Sequence, residues 1–207
     1  HDVIPKLFPE YCTDFNIGEF DKILSSLRQD DAVIAVSRST KEDFLKVSKT
    51  SNPEKVKVAW PVSAGLPVSD VPRLPESPVL QNLEGTSFFF VIGTLEPRKN
   101  LATLLEAYSS LKENRDEFKS PLIVVGARLD EHADILEGLG KQSRGNGLIR
   151  DAGFLADADL AWLYAHASAC ILPSLYEGFG LPLLECLRYG CPTLCSDIPS
   201  YKEIIGN

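Results

Sequence analysis

The sequence has no methionine, only three histidines and two tryptophans. A chain without methionine that begins at His1 is expected to be a processed product or a piece of a larger protein. No apolar run approaches the ~18–20 residues of a membrane-spanning helix, and no signal-peptide pattern opens the chain. Positive charge is scarce: 21 Lys and Arg stand against 29 Asp and Glu, a formal net charge of −8. That balance excludes a sequence-independent nucleic-acid-binding face, which must be basic. It leaves local anion sites open, because a few cations and a helix N-terminus can hold a diphosphate. The five cysteines (Cys12, Cys170, Cys186, Cys191, Cys195) are odd in number and lack metal-ligand spacing. Cys170, Cys186 and Cys195 sit among apolar neighbours and are expected to be small buried thiols in a reducing compartment. His132 and His166 fall in predicted helices and are read as surface positions or satisfied contacts rather than metal ligands. No carboxylate pair with metal-like spacing stands near the motif described next, so no metal is expected.

The densest signal present is Pro173-Ser-Leu-Tyr-Glu-Gly-Phe-Gly-Leu-Pro-Leu-Leu-Glu185. The apolar run Ala169–Leu172 predicts a short buried strand leading into it. Gly178 and Gly180 permit a tight turn with exposed backbone amides. Pro182 suits the first turn of a helix and Gly190 its stop. Strand, glycine turn and helix N-terminus in this order form an anion site, with N–H groups and the positive end of the dipole directed at the turn. Glu177 and Glu185 bracket the turn with seven residues between them. Carboxylates repel phosphate, so beside it they suit sugar hydroxyls. A phosphate flanked by polyols describes a nucleotide-sugar. The dinucleotide fingerprint G-x-G-x-x-G fails, since Leu183 stands where its third glycine belongs.

The remaining pattern reads as two α/β regions. In the first, a helix is predicted from about Gly18 to Leu27, a strand at Ala32–Val36, a helix opening at Ser37 and a strand at Val56–Trp60. Pro67, Pro72, Pro75 and Pro78 then fall within twelve residues, so 66–85 is read as a linker or rigid connection between a 1–65 domain and an 86–207 domain. In the second, strands are predicted at Ser87–Ile92, Pro121–Gly126, Leu148–Ile149, Ala169–Leu172 and Pro192–Cys195. The helices between them start at Asn100 and Asp157, both read as caps, and run over His132–Leu139 and the motif. Strand–helix repetition with short connections predicts a Rossmann-like, doubly wound parallel sheet.

Gly93-Thr-Leu-Glu-Pro-Arg-Lys-Asn100 lies where a strand ends and a helix begins, the position at which ligands bind in open α/β sheets. Arg98 and Lys99 are adjacent cations there in an acidic protein. A guanidinium can fork two phosphate oxygens while an ammonium adds a point charge.

The paired glutamates around Gly-Phe-Gly-Leu-Pro make the sequence resemble the retaining glycosyltransferases of the GT-B fold, glycosyltransferase family 4. The resemblance implies the end of an acceptor-side Rossmann-like domain (1–65) followed by a nucleotide-sugar domain (86–207), truncated at both extremes. It implies that Arg98 and Lys99 hold the donor diphosphate together with the backbone of Gly178, Phe179, Gly180 and Leu181. It implies that Glu185 accepts from the ribose hydroxyls, that Glu177 approaches the hexose, and that His1, from a His-Asp pair, faces sugar and acceptor. Gly93, Thr94, Gly126 and the Gly153-Phe154 turn line the donor site, although many relatives carry Arg where this chain has Thr94. The partners implied are a GDP-mannose or UDP-glucose type donor, mildly favouring GDP-mannose, and a saccharide or lipid-linked acceptor. No cofactor and no nucleic acid are expected. The expected setting is cytoplasmic, at the inner face of the membrane, with peripheral contact through the missing N-terminal domain. The alternatives are a nucleotide-sugar epimerase of the same architecture and a non-catalytic nucleotide-sugar-binding module. The fragment alone is expected to be inactive, because the acceptor wall and most of the cleft are missing and positioning would fail.

Overall fold

Phe88-Phe-Phe-Val-Ile92 shows how the larger sheet is built. Alternation along the strand sends Phe88 and Phe90 to one face, where Phe88 stacks on Trp162 at 5.7 Å and Phe90 meets Tyr164 edge-on at 5.2 Å. Phe89 points to the other face and meets Tyr108 at 6.5 Å. The computed structural model describes the whole chain except residues 29, 49–51, 63–67, 116, 130–131, 147 and 207. It divides into two compact units: His1–Val62 with Tyr176–Leu181 and Asp197–Asn207, and Ser63–Leu175 with Pro182–Ser196.

The first unit contains helix α1 (Ile4–Leu7), α2 (Asp14–Ser26), strand β1 (Val33–Ala35), α3 (Arg38–Val47) and β2 (Val56–Val58). Strands β1 and β2 pair in parallel, Val33 opposite Val56. Val3, Ala35, Phe44 and Val56 form the buried centre. Helix α2 starts before the predicted Gly18 because Thr13 Oγ1 accepts from Asn16 N–H, a side-chain cap that outweighs an interior glycine.

The second unit contains β3 (Phe89–Ile92), α4 (Leu101–Asn114), β4 (Leu122–Val125), α5 (Ala133–Asn146), β5 (Ile149–Gly153), α6 (Asp157–His166), β6 (Ala169–Leu172), α7 (Leu181–Tyr189, joining this unit at Pro182) and β7 (Thr193–Cys195). The five strands are parallel in the order β5-β4-β3-β6-β7. Every residue of β4 is buried, as a strand covered on both faces requires. One face packs Val91, Leu101, Leu105, Leu122 and Leu139 against α4 and α5. The chain moves outward from β3 to β5, then returns to β6 on the other side of β3. The order therefore reverses between β3 and β6.

The proline-rich stretch is fastened to this unit, leaving aside 66 and 67, which lie outside the described residues. Leu80 and Leu83 are fully buried. The buried Asp159 carboxylate accepts from the N–H groups of Glu76 at 2.7 Å and Ser77 at 3.1 Å. Trp162 Nε1 donates to the Arg73 carbonyl at 3.4 Å and Arg150 to that of Val79 at 3.1 Å. A last helix, α8 (Pro199–Ile205), belongs to the first unit and has no counterpart in the sequence reading. Helix α5 also runs beyond the predicted Leu139, through polar residues that carry no apolar period. Among the described residues no helix is long and apolar enough to cross a membrane.

Candidate functional site

The C-terminal edge of the five-stranded sheet is bare backbone at two neighbouring strand ends. A Cβ on Gly126 would lie 1.7 Å from the Gly93 carbonyl oxygen, so only glycine fits the end of β4. The loops are stitched crosswise: Gly93 N–H donates to Val125 at 3.0 Å, Leu95 to Ala127 at 2.9 Å and Gly126 to Gly153 at 2.8 Å. Gly93, Thr94, Gly126 and the Gly153-Phe154 turn thus form one layer. The Phe154 ring is 85% exposed at its end.

After β3 the chain makes a short 3-10 turn, Pro97–Lys99, and Asn100 takes a left-handed conformation at φ 57°. The Lys99 side chain folds back over Gly93, with Cε 3.1 Å from the position of a Cβ there. Arg98 Nη2 donates to Glu96 Oε1 at 2.6 Å, both side chains mostly buried. Glu96 therefore offsets part of the positive charge of this turn. Asn100 stands at the N-cap of α4, but its side chain does not cap the backbone. It accepts from the Thr103 hydroxyl at 2.7 Å and donates to the Pro173 carbonyl at 3.3 Å. Leu175 N–H donates to the Arg98 carbonyl at 2.8 Å. The loops after β3 and β6 are thereby tied together at the reversal of strand order. The other predicted cap fails too: Ala156 holds the N-cap of α6, and Asp157 is its first residue.

Glu185 lies half-buried in α7, and its Oε2 accepts from the Tyr164 hydroxyl at 2.6 Å. Tyr164 is locked between Phe90 and Tyr189, the latter stacked at 5.4 Å. Burial, and next the Glu185 charge, push its phenol far above the ordinary range, so it stays a donor at neutral pH. One carboxylate oxygen is thus oriented by the core. Nothing in the sequence around Tyr164 points to this partner. Tyr164→Phe should cost about 1.5 kcal/mol of stability, the lower end for a hydrogen bond to a charged group. Urea unfolding reads it, and an unchanged midpoint would contradict the contact.

All five cysteines are reduced thiols. Cys170 and Cys186 are buried as expected; Cys195 is only half-buried, at an edge strand, whereas Cys191 is buried. Burial raises the Cys170 thiol, while hydrogen bonding to Cys170 and to Cys186 respectively raises Cys186 and Cys191. Such thiols stay neutral and unreactive.

The motif turn Tyr176–Leu181 belongs to the first unit. Tyr176 donates to Asp43 Oδ2 at 2.9 Å and packs on Phe8 at 5.1 Å. Glu177 and Phe179 are buried, whereas Leu181 is exposed. His1 is exposed, and its backbone carbonyl lies 2.3 Å from where a Cβ on Gly178 would be. Gly180 has φ 117°, and a Cβ on it would meet the buried Tyr201 ring of α8 at 2.6 Å. Within α8, the Glu203 carboxylate accepts from Arg38 N–H at 2.8 Å and Trp60 Nε1 at 2.6 Å. Both glycines of the turn are therefore required by close packing. Tyr201 and Glu203 are supports that no motif announces.

The model of the family "glycosyl transferases group 1" matches residues 75–207. The chain is 35% identical to O-antigen chain mannosyltransferase B of Escherichia coli, covering 100% of this chain and 54% of that protein. It is 31% identical to the serotype-specific mannosyltransferase WbdA of Escherichia coli, over 100% of this chain and 26% of that protein. The chain thus spans about half the length, or less, of these curated relatives. Among solved structures it resembles Anabaena Alr3699/HepE in complex with UDP and glucose, with TM-score 0.71 and 20% identity over 96% of this chain and 53% of that one. It also resembles WaaG, a glycosyltransferase involved in lipopolysaccharide biosynthesis, with TM-score 0.67 and 20% identity over 98% of this chain and 55% of that one. At such identity these likenesses speak for the fold, the GT-B type expected from the motif. With a family match over more than half its length, the chain belongs to the glycosyl transferases of group 1.

Proposed function

We propose that the full-length protein carrying this chain is a retaining hexosyltransferase that moves mannose from a nucleoside-diphosphate sugar, GDP-mannose in the first instance, to a saccharide hydroxyl in polysaccharide synthesis. One observation carries this reading: the strand order reverses between β3 and β6, and the Arg98-Lys99 turn and the motif both leave the sheet there. Ligands of open α/β sheets bind at that reversal. The mannosyltransferase names of relatives at 31–35% identity favour mannose.

In this reading Arg98, Lys99 and the amides of Phe179, Gly180 and Leu181 stabilise the departing diphosphate while the sugar gains oxocarbenium character. The half-buried Glu185, oriented by Tyr164, accepts from the ribose, and Phe154 offers its exposed ring to the base. Glu177 approaches the hexose, and His1 faces sugar and acceptor. Residues 1–65 are the end of the acceptor-side domain, and 86–207 bind the donor. Reaction at the inner face of the membrane fits an acceptor on a lipid carrier.

The test is incubation of the full-length protein with GDP-mannose or UDP-glucose, with and without a saccharide acceptor, following the anomeric proton by NMR. Transfer from GDP-mannose with the donor's configuration kept is the expected result. Inverted product would remove the retaining mechanism. Sugar conversion without acceptor would mean an epimerase, and binding without turnover a non-catalytic module.

A further inference from the structure

The carbonyl of Gly178 is gripped by two hydroxyls that no motif contains. Ser37 Oγ donates to it at 2.5 Å and Thr40 Oγ1 at 2.8 Å, across 141 and 138 residues of sequence. Both donors are buried, Ser37 at 0% and Thr40 at 4% exposure. A carbonyl oxygen has two lone pairs, so two donors fix its direction as well as its position. Ser37 cannot swing away, because its oxygen also accepts from Thr40 N–H at 2.9 Å and is bonded to Ser39 Oγ at 2.9 Å. Helix α3 thus presents both hydroxyls from its first turn, with Ser37 as its own cap. On Gly178 itself, the His1 carbonyl fills the space a side chain would occupy.

The consequence falls on the next amide. The peptide joining Gly178 to Phe179 is planar and trans, so its C=O and N–H point in opposite directions. Holding the Gly178 oxygen against α3 aims the Phe179 N–H away from α3. We infer that Ser37 and Thr40 are positioning residues for diphosphate recognition: they orient the Phe179 amide toward the phosphates of the donor. Neither hydroxyl touches the ligand itself. The inference rests on the donor reading above, in which the motif's amides meet the diphosphate.

The test uses the full-length protein with Thr40→Val, Ser37→Ala, the double variant and Thr40→Ser. Calorimetry compares GDP, or UDP if wild type prefers it, with the corresponding nucleoside, which carries no phosphate. The double variant should bind the diphosphate at least about tenfold more weakly, since small misplacement of a recognition group has effects of that order. Affinity for the nucleoside should stay within about twofold of wild type, and Thr40→Ser should restore diphosphate affinity. A general structural defect would weaken both ligands, and Thr40→Ser would not discriminate between them. A folded double variant that binds the diphosphate like wild type would overturn the inference while leaving the donor reading intact. Should the double variant not fold, Thr40→Val alone is expected to weaken the diphosphate about threefold, and equal affinities for wild type, Thr40→Val and Thr40→Ser would overturn it. A wild-type protein that binds no nucleoside diphosphate would sink the donor reading, and this inference with it.

Discussion

Lys99→Ala in the full-length protein should lower kcat by about a hundredfold at saturating donor, the scale on which one preorganised donor to a developing negative charge acts. The turn that carries Lys99 is rigid: its N–H donates to the Glu96 carbonyl at 3.0 Å, and its side-chain stem lies across Gly93. Its ammonium would therefore need little reorganisation in the proposed reaction. The formal charge of Glu96, Arg98 and Lys99 together is +1, and Glu96 already bonds Arg98 at 2.6 Å. Removing Lys99 leaves the turn formally neutral at the place where leaving-group charge is proposed to develop. Such a loss weighs on the transition state more than on the ground state, so kcat should fall further than KM rises. Donor-saturation kinetics check this, and a kcat within about twofold of wild type would remove Lys99 from the mechanism.

Gly126→Ala should have the largest effect on stability. Its methyl would sit 1.7 Å from the Gly93 oxygen, and the φ of 158° is one that side chains rarely adopt. Relief would require β3 and β4 to part at their ends. Gly93 and Leu95 are hydrogen-bonded to Val125 and Ala127 on either side of the collision, at 3.0 and 2.9 Å. A clash between two backbones tied in this way belongs with the exceptional destabilisations of about 4 kcal/mol or more. That is a large part of the 5–15 kcal/mol typical of a domain. Thermal unfolding reads it, with Gly138→Ala as the comparison: a Cβ there meets nothing within 4 Å, in the interior of α5. The comparison variant should gain about 0.5–1 kcal/mol from helix propensity. Equal midpoints for the two variants would contradict the packing described at the sheet edge.

Much of this architecture was legible because its signals are local. Apolar runs such as Leu122-Ile-Val-Val125 can only be buried strands, and the glycine turn followed by Pro182 marks a helix start. What escaped reading depends on partners distant in sequence. Helix α8 is seven residues long, and helices so short are held by tertiary packing rather than propensity. Its buried Tyr201 gives no period by itself. Asn100 has the residue type of a cap, yet the Thr103 hydroxyl and the Pro173 carbonyl claim its side chain. Glu96 looked like one more acidic residue, and only the fold shows it bonded to Arg98 at 2.6 Å. Tyr164 is buried in the core, yet its hydroxyl reaches Glu185 at 2.6 Å. Among the predicted site residues, Gly93 and Gly126 were legible as glycines closing predicted strands, whereas a donor-site role for them came from the resemblance. The hydroxyls of Ser37 and Thr40 were not legible, since nothing in their neighbourhood of the sequence points to residue 178.

Hydrogen exchange of the full-length protein with and without a nucleoside diphosphate is the most direct measurement of the proposed donor site. Slower exchange at the amides of Phe179, Gly180 and Leu181, together with the Gly93–Asn100 loop, is the expected result. Binding that leaves both segments unchanged, or protects residues remote from the C-terminal edge of β3 and β6, would contradict it.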